Sequence, residues 1–252
     1  PALLAELTGI DVVADFRSRD VAAGGQGAPL VPAFHQAVFA SQIANAAVMN
    51  IGGISNLSVL GAYEKDEPLL GFDCGPGNAL MDHWCHAHTE QPFDADGAWA
   101  ASGQVNMQLL NQLLSEPFIT TLPPKSTGRD LFNPSWLDKQ LVGFESLLPK
   151  DIQATLTEFT AQACASNVNQ FAKQCQTLIV CGGGALNGQL MRRLQAALPG
   201  LKVCRSDTFG LPPLQVEAAA FAWLASKMIR REKNKKKNVT GAQGPRILGA
   251  LY

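Results

Sequence analysis

The stretch Asn50-Ile51-Gly52-Gly53-Ile54-Ser55-Asn56 decides the fold of this 252-residue chain. It separates two apolar runs of strand-like composition, Ala46–Ile51 and Leu57–Leu60, by only a few turn residues. That spacing predicts an antiparallel hairpin, because two parallel strands need a crossover of about a dozen residues or more.

Further strands and helices alternate on both sides of this hairpin. Strands are predicted at Asp11–Ala14, Leu69–Cys74, Thr177–Cys181 and Leu201–Cys204. Helices are predicted at Asn78–His88, Val105–Leu114, Asp151–Ala172 (with Asp151 as its N-cap), Leu186–Leu198 and Val216–Ile229. The alternation indicates an α/β chain with a largely parallel sheet that helices cover on both faces.

Two more glycine-rich turns follow predicted strands, one at Gly71–Asn78 and one that begins at Gly182–Gly184. Glycine lets a ligand approach the backbone, and exposed backbone N–H groups attract phosphate. A single such turn is typical of any tight turn, but three at the carboxyl ends of strands predict a nucleotide site. The P-loop and dinucleotide motifs are both absent from the sequence.

A hairpin that clamps phosphate, with a glycine turn for adenosine, is the layout of the actin-like ATPase and sugar-kinase fold, which is ribonuclease H-like. That fold carries one phosphate hairpin in each lobe, and the sequence contains only the second. We therefore expect a complete second lobe and a partial first lobe. The predicted ATP-binding residues are Gly52, Gly53, Ser55, Asn56, Gly182, Gly183, Gly184 and Asn187.

Asp73 and Glu217 are the two acidic residues that the pattern singles out. Asp73 ends a predicted strand, so its carboxylate is a candidate general base, although a capping or Asx-turn acid fits the same position. Glu217 begins a helix of small residues, where the helix dipole alone would also favour an acid. His83 and His86 share a helix face and leave zinc binding as a weaker alternative.

Two polar loops carry arginines that can bind a carboxylate or phosphate. The first joins Asp15–Asp20, with Arg17 and Arg19, to Gly24–Leu30; the second is Lys125–Arg129. Either loop could equally form surface ion pairs, which contribute little to stability.

Composition excludes several function classes. The chain has 20 basic and 21 acidic residues, so it has no global positive field for nucleic acid. Six scattered cysteines without a Cys-x-x-Cys pair predict reduced thiols in a cytoplasmic protein. No apolar run approaches the roughly 20 residues of a membrane helix. The basic run Arg230–Lys237 predicts a solvated helix end and loop.

Six spaced motifs resemble the anhydro-N-acetylmuramic acid kinase family. They are Gly24–Pro32, Asn50–Asn56, Gly71–Asn78, Lys125–Arg129, Cys181–Ala185 and the ending Val239–Tyr252. Members of this family use ATP and Mg²⁺ to cleave the 1,6-anhydro ring of anhydro-N-acetylmuramic acid and to phosphorylate O6. The product is N-acetylmuramic acid 6-phosphate, in cell-wall recycling.

The resemblance implies a role for each matched site residue. Asp73 would be the base that deprotonates the water attacking C1, and Glu217 would bind the sugar. Arg17, Arg19, Gly25 and Gln26 would lie on the sugar side, where an arginine suits the lactyl carboxylate. The resemblance also implies a homodimer. We assign no residue of this chain as a metal ligand.

Members of the family begin with a Gly-Thr-Ser-x-Asp-Gly-type hairpin that this sequence lacks. The chain also opens without an initiator Met, in a predicted helix over residues 2–7, so we expect an N-terminal truncation. Residues 1–45 would then be the remainder of the N-terminal lobe and the sugar-side loop, and residues 46–252 the C-terminal ATPase-like lobe. The alternative is a non-catalytic sugar- or nucleotide-binding module of the same fold.

Overall fold

The computed structural model describes residues 1–60, 69–233 and 239–252. The strands are β1 (Val13–Ala14), β2 (Ala46–Ile51), β3 (Ile54–Val59), β4 (Leu70–Pro76), β5 (Thr177–Cys181), β6 (Lys202–Arg205) and β7 (Ala250–Leu251). The helices are α1 (Ala2–Thr8), α2 (Ser18–Ala22), α3 (Pro32–Phe39), α4 (Ala79–Thr89), α5 (Ala98–Ala101), α6 (Met107–Leu114), α7 (Pro117–Thr120), α8 (Pro134–Gln140), α9 (Pro149–Phe171), α10 (Gly188–Ala197) and α11 (Val216–Ile229).

A five-stranded mixed sheet forms the centre, in the order β4-β3-β2-β5-β6. β2, β5 and β6 run parallel, while β3 is antiparallel to both of its neighbours. The predicted hairpin at Gly52 is therefore confirmed inside an otherwise parallel arrangement.

Alternating side chains of the central strands build two cores, one on each face of the sheet. Met49 and Ile51 of β2 face the larger core, which α9 covers. Val48 of β2 and Ile179 of β5 face the second core, together with residues of α3 and α11. This alternation follows from the two-residue period of a strand and explains why β5 is buried along its whole length.

Some predicted boundaries are wrong for identifiable reasons. β4 runs past Asp73 to Pro76, because Gly75 and Pro76 pair with β3 beyond an irregularity in the ladder, and proline is tolerated on this edge strand. Helix α9 begins at Pro149, so Asp151 is in its first turn and is not the N-cap. The loop predicted around Arg17 contains the short helix α2.

The small sheet formed by β1 and β7 joins the two ends of the chain in antiparallel pairing. The division at residue 45 stays a prediction. Residues 234–237 of the basic run lie outside the described part of the chain, and α11 ends just before the run at Ile229.

Candidate functional site

A cavity of about 300 Å³ lies where β2 passes into β3. Asp73, Glu217 and Arg17 line it from three separate parts of the chain, together with Gly52, Gly53 and Asn56. The structure thus brings the predicted base, the predicted sugar-binding acid, one predicted arginine and part of the predicted phosphate hairpin into one site.

Asp73 lies in β4, is only 5% exposed and is held from one side. Its Oδ2 accepts hydrogen bonds from the Ser126 hydroxyl at 2.8 Å and from the Thr127 backbone N–H at 2.9 Å. Among the residues that the structure describes, no donor bonds to Oδ1. One carboxylate oxygen is therefore fixed, while the other is available to accept a proton.

Opposing effects set the pKa of Asp73. Burial raises it above the ordinary value, while the N–H of Thr127, the hydroxyl of Ser126 and the charges of Arg17 and Lys125 lower it. Burial is the largest effect, so the pKa of this carboxyl is raised overall. A raised pKa makes the carboxylate a stronger base than an exposed aspartate.

Lys125 anchors the segment that holds Asp73. Its ammonium is buried, donates to the carbonyls of Phe118 and Ile119 at 3.1 and 3.0 Å, and lies over the Phe118 ring. The interpretation of this part of the loop as a surface ion-pair region is wrong for Lys125, because α7 ends in carbonyls that need a donor. Burial lowers the pKa of this lysine.

The turn at Gly52 and Gly53 caps the N-terminus of α4 through its carbonyls. Gly53 O accepts from the N–H of Gly77 at 2.9 Å, and Gly52 O accepts from the N–H of Asn78 at 2.7 Å. A Cβ on Gly77 would lie 2.2 Å from Gly52 O, so glycine is required at this close approach. In the described ranges the N–H groups of Gly52 and Gly53 donate to no backbone carbonyl, so they can bind an anion.

The glycine turn after β5 packs against the end of β2. Gly182 has a φ of +78°, and a Cβ there would lie 2.6 Å from Asn50 Oδ1. Asn187 caps α10, since its side chain accepts from the N–H of Leu190. Beyond the turn, a second cavity of about 500 Å³ is lined by residues that include Leu186, Met191, Arg205 and Asp207.

Several predicted site residues do not line the first cavity. Ser55 is fully buried and donates to the carbonyl of Gly75, while Arg19 donates to the carbonyl of Ile247. Gln26 donates to the carbonyl of Pro124, and Gly25 lies against the buried carboxylate of Asp20. Gly182, Gly183, Gly184 and Asn187 are also outside its lining.

Sequence reasoning missed Ser126, Thr127 and Phe221 as individual site residues. Phe221 lines the cavity from α11, one helical turn after Glu217, so helical spacing could have found it. Ser126 and Thr127 lie in a stretch noticed only for its basic charge, and no local signal shows that they contact Asp73.

The zinc alternative at His83 and His86 receives no support from the described residues. Within the described ranges, no group of three His, Cys, Asp or Glu side chains could hold a metal ion, and His83 and His86 belong to none. All six cysteines are free thiols, as predicted. Among the described residues, no helix is long and apolar enough to cross a membrane.

The chain matches the family model described as anhydro-N-acetylmuramic acid kinase over residues 1–252. It is 63% identical to a Variovorax paradoxus protein of that name, with 100% of this chain covering 68% of the relative. An Albidiferax ferrireducens relative of the same name is 60% identical, with 100% of this chain covering 69% of it. The chain thus spans about two thirds of the length of these relatives.

Among solved structures, component A of the (R)-2-hydroxyglutaryl-CoA dehydratase from Acidaminococcus fermentans aligns with a TM-score of 0.50. The identity is 14%, and the alignment covers 76% of this chain and 64% of that one. This likeness, together with the mixed sheet between helical layers, supports the predicted α/β fold of the actin-like ATPase and sugar-kinase class.

Proposed function

The chain belongs to the family of anhydro-N-acetylmuramic acid kinases, a family of carbohydrate kinases, and we propose how its residues perform that reaction. With ATP and water, the 1,6-anhydro ring of anhydro-N-acetylmuramic acid opens and O6 is phosphorylated, giving N-acetylmuramic acid 6-phosphate for cell-wall recycling. The observation that carries the assignment of the base is the Oδ1 of buried Asp73, which accepts from no residue in the described ranges and lies in one cavity with the Gly52–Gly53 turn.

Asp73 acts as the general base in this scheme. Its Oδ1 takes a proton from water as the water oxygen bonds to C1 of the sugar, and the bond between C1 and O6 breaks. The electron pair of that bond stays on O6, which attacks the γ-phosphorus of ATP, and ADP leaves with the electrons of the broken P–O bond. Asp73 then returns its proton to solvent.

Glu217 and Arg17 bind the sugar at the mouth of the cavity. Glu217 is exposed at the start of α11, where its carboxylate can accept hydrogen bonds from sugar hydroxyls. One Nη of Arg17 donates to the Gly27 carbonyl, which orients the remaining donors of the guanidinium for the lactyl carboxylate. Arg19, Gly25 and Gln26 shape the loop behind Arg17.

ATP lies across the two glycine turns. The N–H groups at Gly52 and Gly53 bind its phosphates, and Asn56 borders them, while Ser55 supports the hairpin from within. The turn Gly182–Gly184 and the helix capped by Asn187 carry the nucleoside, with its base towards the 500 Å³ cavity. Mg²⁺ usually binds phosphates with one or two carboxylates, so it would arrive with ATP and neutralise phosphate charge.

A cytoplasmic location and a homodimer are further proposals that rest on the family. Sedimentation of the purified protein tests the dimer, and fractionation of cells tests the location.

Titration and turnover together separate a kinase from a binding module of the same fold. Calorimetry measures binding of ATP and of the anhydro sugar, while a coupled assay follows ADP release when both are present. We expect binding of both ligands and ADP release that depends on the sugar. Binding of both without ADP release, in the full-length protein, would support the module instead.

A further inference from the structure

We propose that Arg129 is a catalytic residue whose guanidinium binds the phosphoryl group during its transfer at the Gly52–Gly53 turn. The inference rests on the proposed function and adds a positively charged side chain to the proposed phosphate site.

The guanidinium of Arg129 lies directly against the turn. A Cβ built on Gly53 would be 3.1 Å from Nη2 and 3.2 Å from Nε of Arg129. These short distances show that the guanidinium packs against the backbone of Gly53. The exposed guanidinium thus lies against the turn whose backbone N–H groups are available for phosphate, just outside the lining of the 300 Å³ cavity.

Arg129 keeps its donors available. In the described part of the chain it forms neither a hydrogen bond nor an ion pair, whereas Arg193 is paired with Glu158 and Arg205 with Asp207. Asp82 on α4 is close enough for Arg129 to lower its pKa, although burial raises that pKa to about 6. No ion pair joins the two residues, so the guanidinium can bind an incoming anion.

The segment that carries Arg129 also holds the base. Thr127, two residues earlier, donates its N–H to Asp73, and Gly128 O accepts the N–H groups of Leu131 and Phe132 at 3.3 and 3.2 Å. One anchored loop therefore brings Arg129 against the hairpin turn and supplies the hydrogen bonds that hold the carboxylate of Asp73. This arrangement suits a reaction in which ring opening and phosphoryl transfer occur together.

The chemistry of arginine fits this position better than that of lysine. A planar guanidinium can bind two phosphoryl oxygens at once, while an ammonium acts as a point charge. Negative charge is spread over the oxygens of the γ-phosphoryl group during transfer, so a fixed cation there stabilises the transition state.

The test compares Arg129→Gln and Arg129→Lys with Arg230→Gln, which removes the same charge from an exposed arginine beyond α11. In the full-length protein we expect Arg129→Gln to lower kcat about 100-fold. The kcat of Arg129→Lys should lie between those of the wild type and Arg129→Gln. The KM for the sugar and the unfolding temperature should stay unchanged. Arg230→Gln should behave as the wild type.

Binding measurements separate a phosphate contact from a structural role. Arg129→Gln should weaken binding of a non-hydrolysable ATP analogue about tenfold while leaving ADP binding unchanged. Equal losses for both nucleotides, or wild-type kcat in Arg129→Gln, would overturn the inference. If Arg129→Gln keeps the wild-type kcat while Asp73→Asn is inactive, the role of Arg129 is refuted and the proposed function stands. If the wild-type protein itself releases no ADP, the proposed function is refuted.

Discussion

At the scale of single residues, the surroundings of Asp73 determine what its carboxylate can do. Burial alone would raise its pKa, and two hydrogen bonds on Oδ2 limit that rise. The balance leaves a carboxylate whose pKa is raised above the ordinary value, with hydrogen bonds on Oδ2 and none from a described residue on Oδ1. Removing one of those hydrogen bonds should therefore change the pH dependence of the reaction.

Replacing Ser126 by alanine removes the hydroxyl that donates to Asp73. The pKa of Asp73 should rise, because its charged form loses a donor. Since the base acts when ionised, activity is lost as pH falls through this pKa. We expect the acidic limb of the kcat/KM profile to move up by about one pH unit.

Ser126→Thr is the matched control, because it keeps the hydroxyl and should keep the wild-type profile. A profile for Ser126→Ala that coincides with that of the wild type would show that the hydroxyl does not tune the base.

At the scale of elements, the β2–β3 hairpin and helix α4 form one unit. The turn carbonyls cap the helix, which directs the turn N–H groups away from it. The hairpin was predictable, because a short glycine turn between two apolar runs leaves few other structures. The capping contact was not, since it joins backbone atoms and leaves no side-chain pattern.

Replacing Gly77 by alanine should disturb this unit. The new Cβ would meet Gly52 O at 2.2 Å, a backbone atom that has no rotamer to change. We expect the free energy of unfolding to fall by about 1–3 kcal/mol and the affinity for ATP to fall with it. Chemical denaturation and nucleotide titration measure the two effects.

Gly200→Ala is the control, because nothing lies within 4 Å of a Cβ at that position. Equal stability of the two variants would show that the close approach at Gly77 is not required.

At the scale of the whole molecule, residues far apart in sequence close the sugar side of the site. The buried carboxylate of Asp20 accepts from the N–H of Gly27 at 2.8 Å and from the Thr240 hydroxyl at 2.7 Å. This contact ties the loop behind Arg17 to the C-terminal segment, whose strand β7 pairs with β1. The shape of the proposed sugar site thus depends on the segment that contains Thr240.

Thr240→Val keeps the shape of the side chain and removes its hydroxyl. The Asp20 carboxylate loses one donor, so the free energy of unfolding should fall by about 1–3 kcal/mol. The KM for the anhydro sugar should rise more than kcat falls, because the loop that bears Arg17 loosens. Denaturation and steady-state kinetics measure these effects.

Thr8→Val is the control, because the hydroxyl of exposed Thr8 bonds only to nearby backbone atoms of Leu4 and Ile10. It should leave the KM for the sugar unchanged and lower the stability less than Thr240→Val does. Unchanged stability and KM in Thr240→Val would contradict a role for the Asp20 contact in shaping the site.

The sequence singled out several residues that lie together in the structure, but not the contacts that hold them. Asp73, Glu217 and Gly52 line one cavity. Only Gly52 directly follows a strand end, whereas Asp73 lies within β4 and Glu217 lies on α11. Ser126 and Thr127 donate hydrogen bonds to Asp73, which lies more than fifty residues earlier in the sequence. These bonds depend on a loop that buried Lys125 anchors. Such contacts arise from tertiary packing, which local patterns do not record.

The most direct test of the central assignment is the kcat of Asp73→Asn in the full-length protein, with ATP binding measured alongside. The change keeps the shape of the side chain and removes its basicity. We expect kcat to fall at least about 100-fold with ATP affinity unchanged, while Asp138→Asn on exposed α8 stays at the wild-type rate. Turnover of Asp73→Asn within a few-fold of the wild type would contradict the assignment of Asp73 as the base.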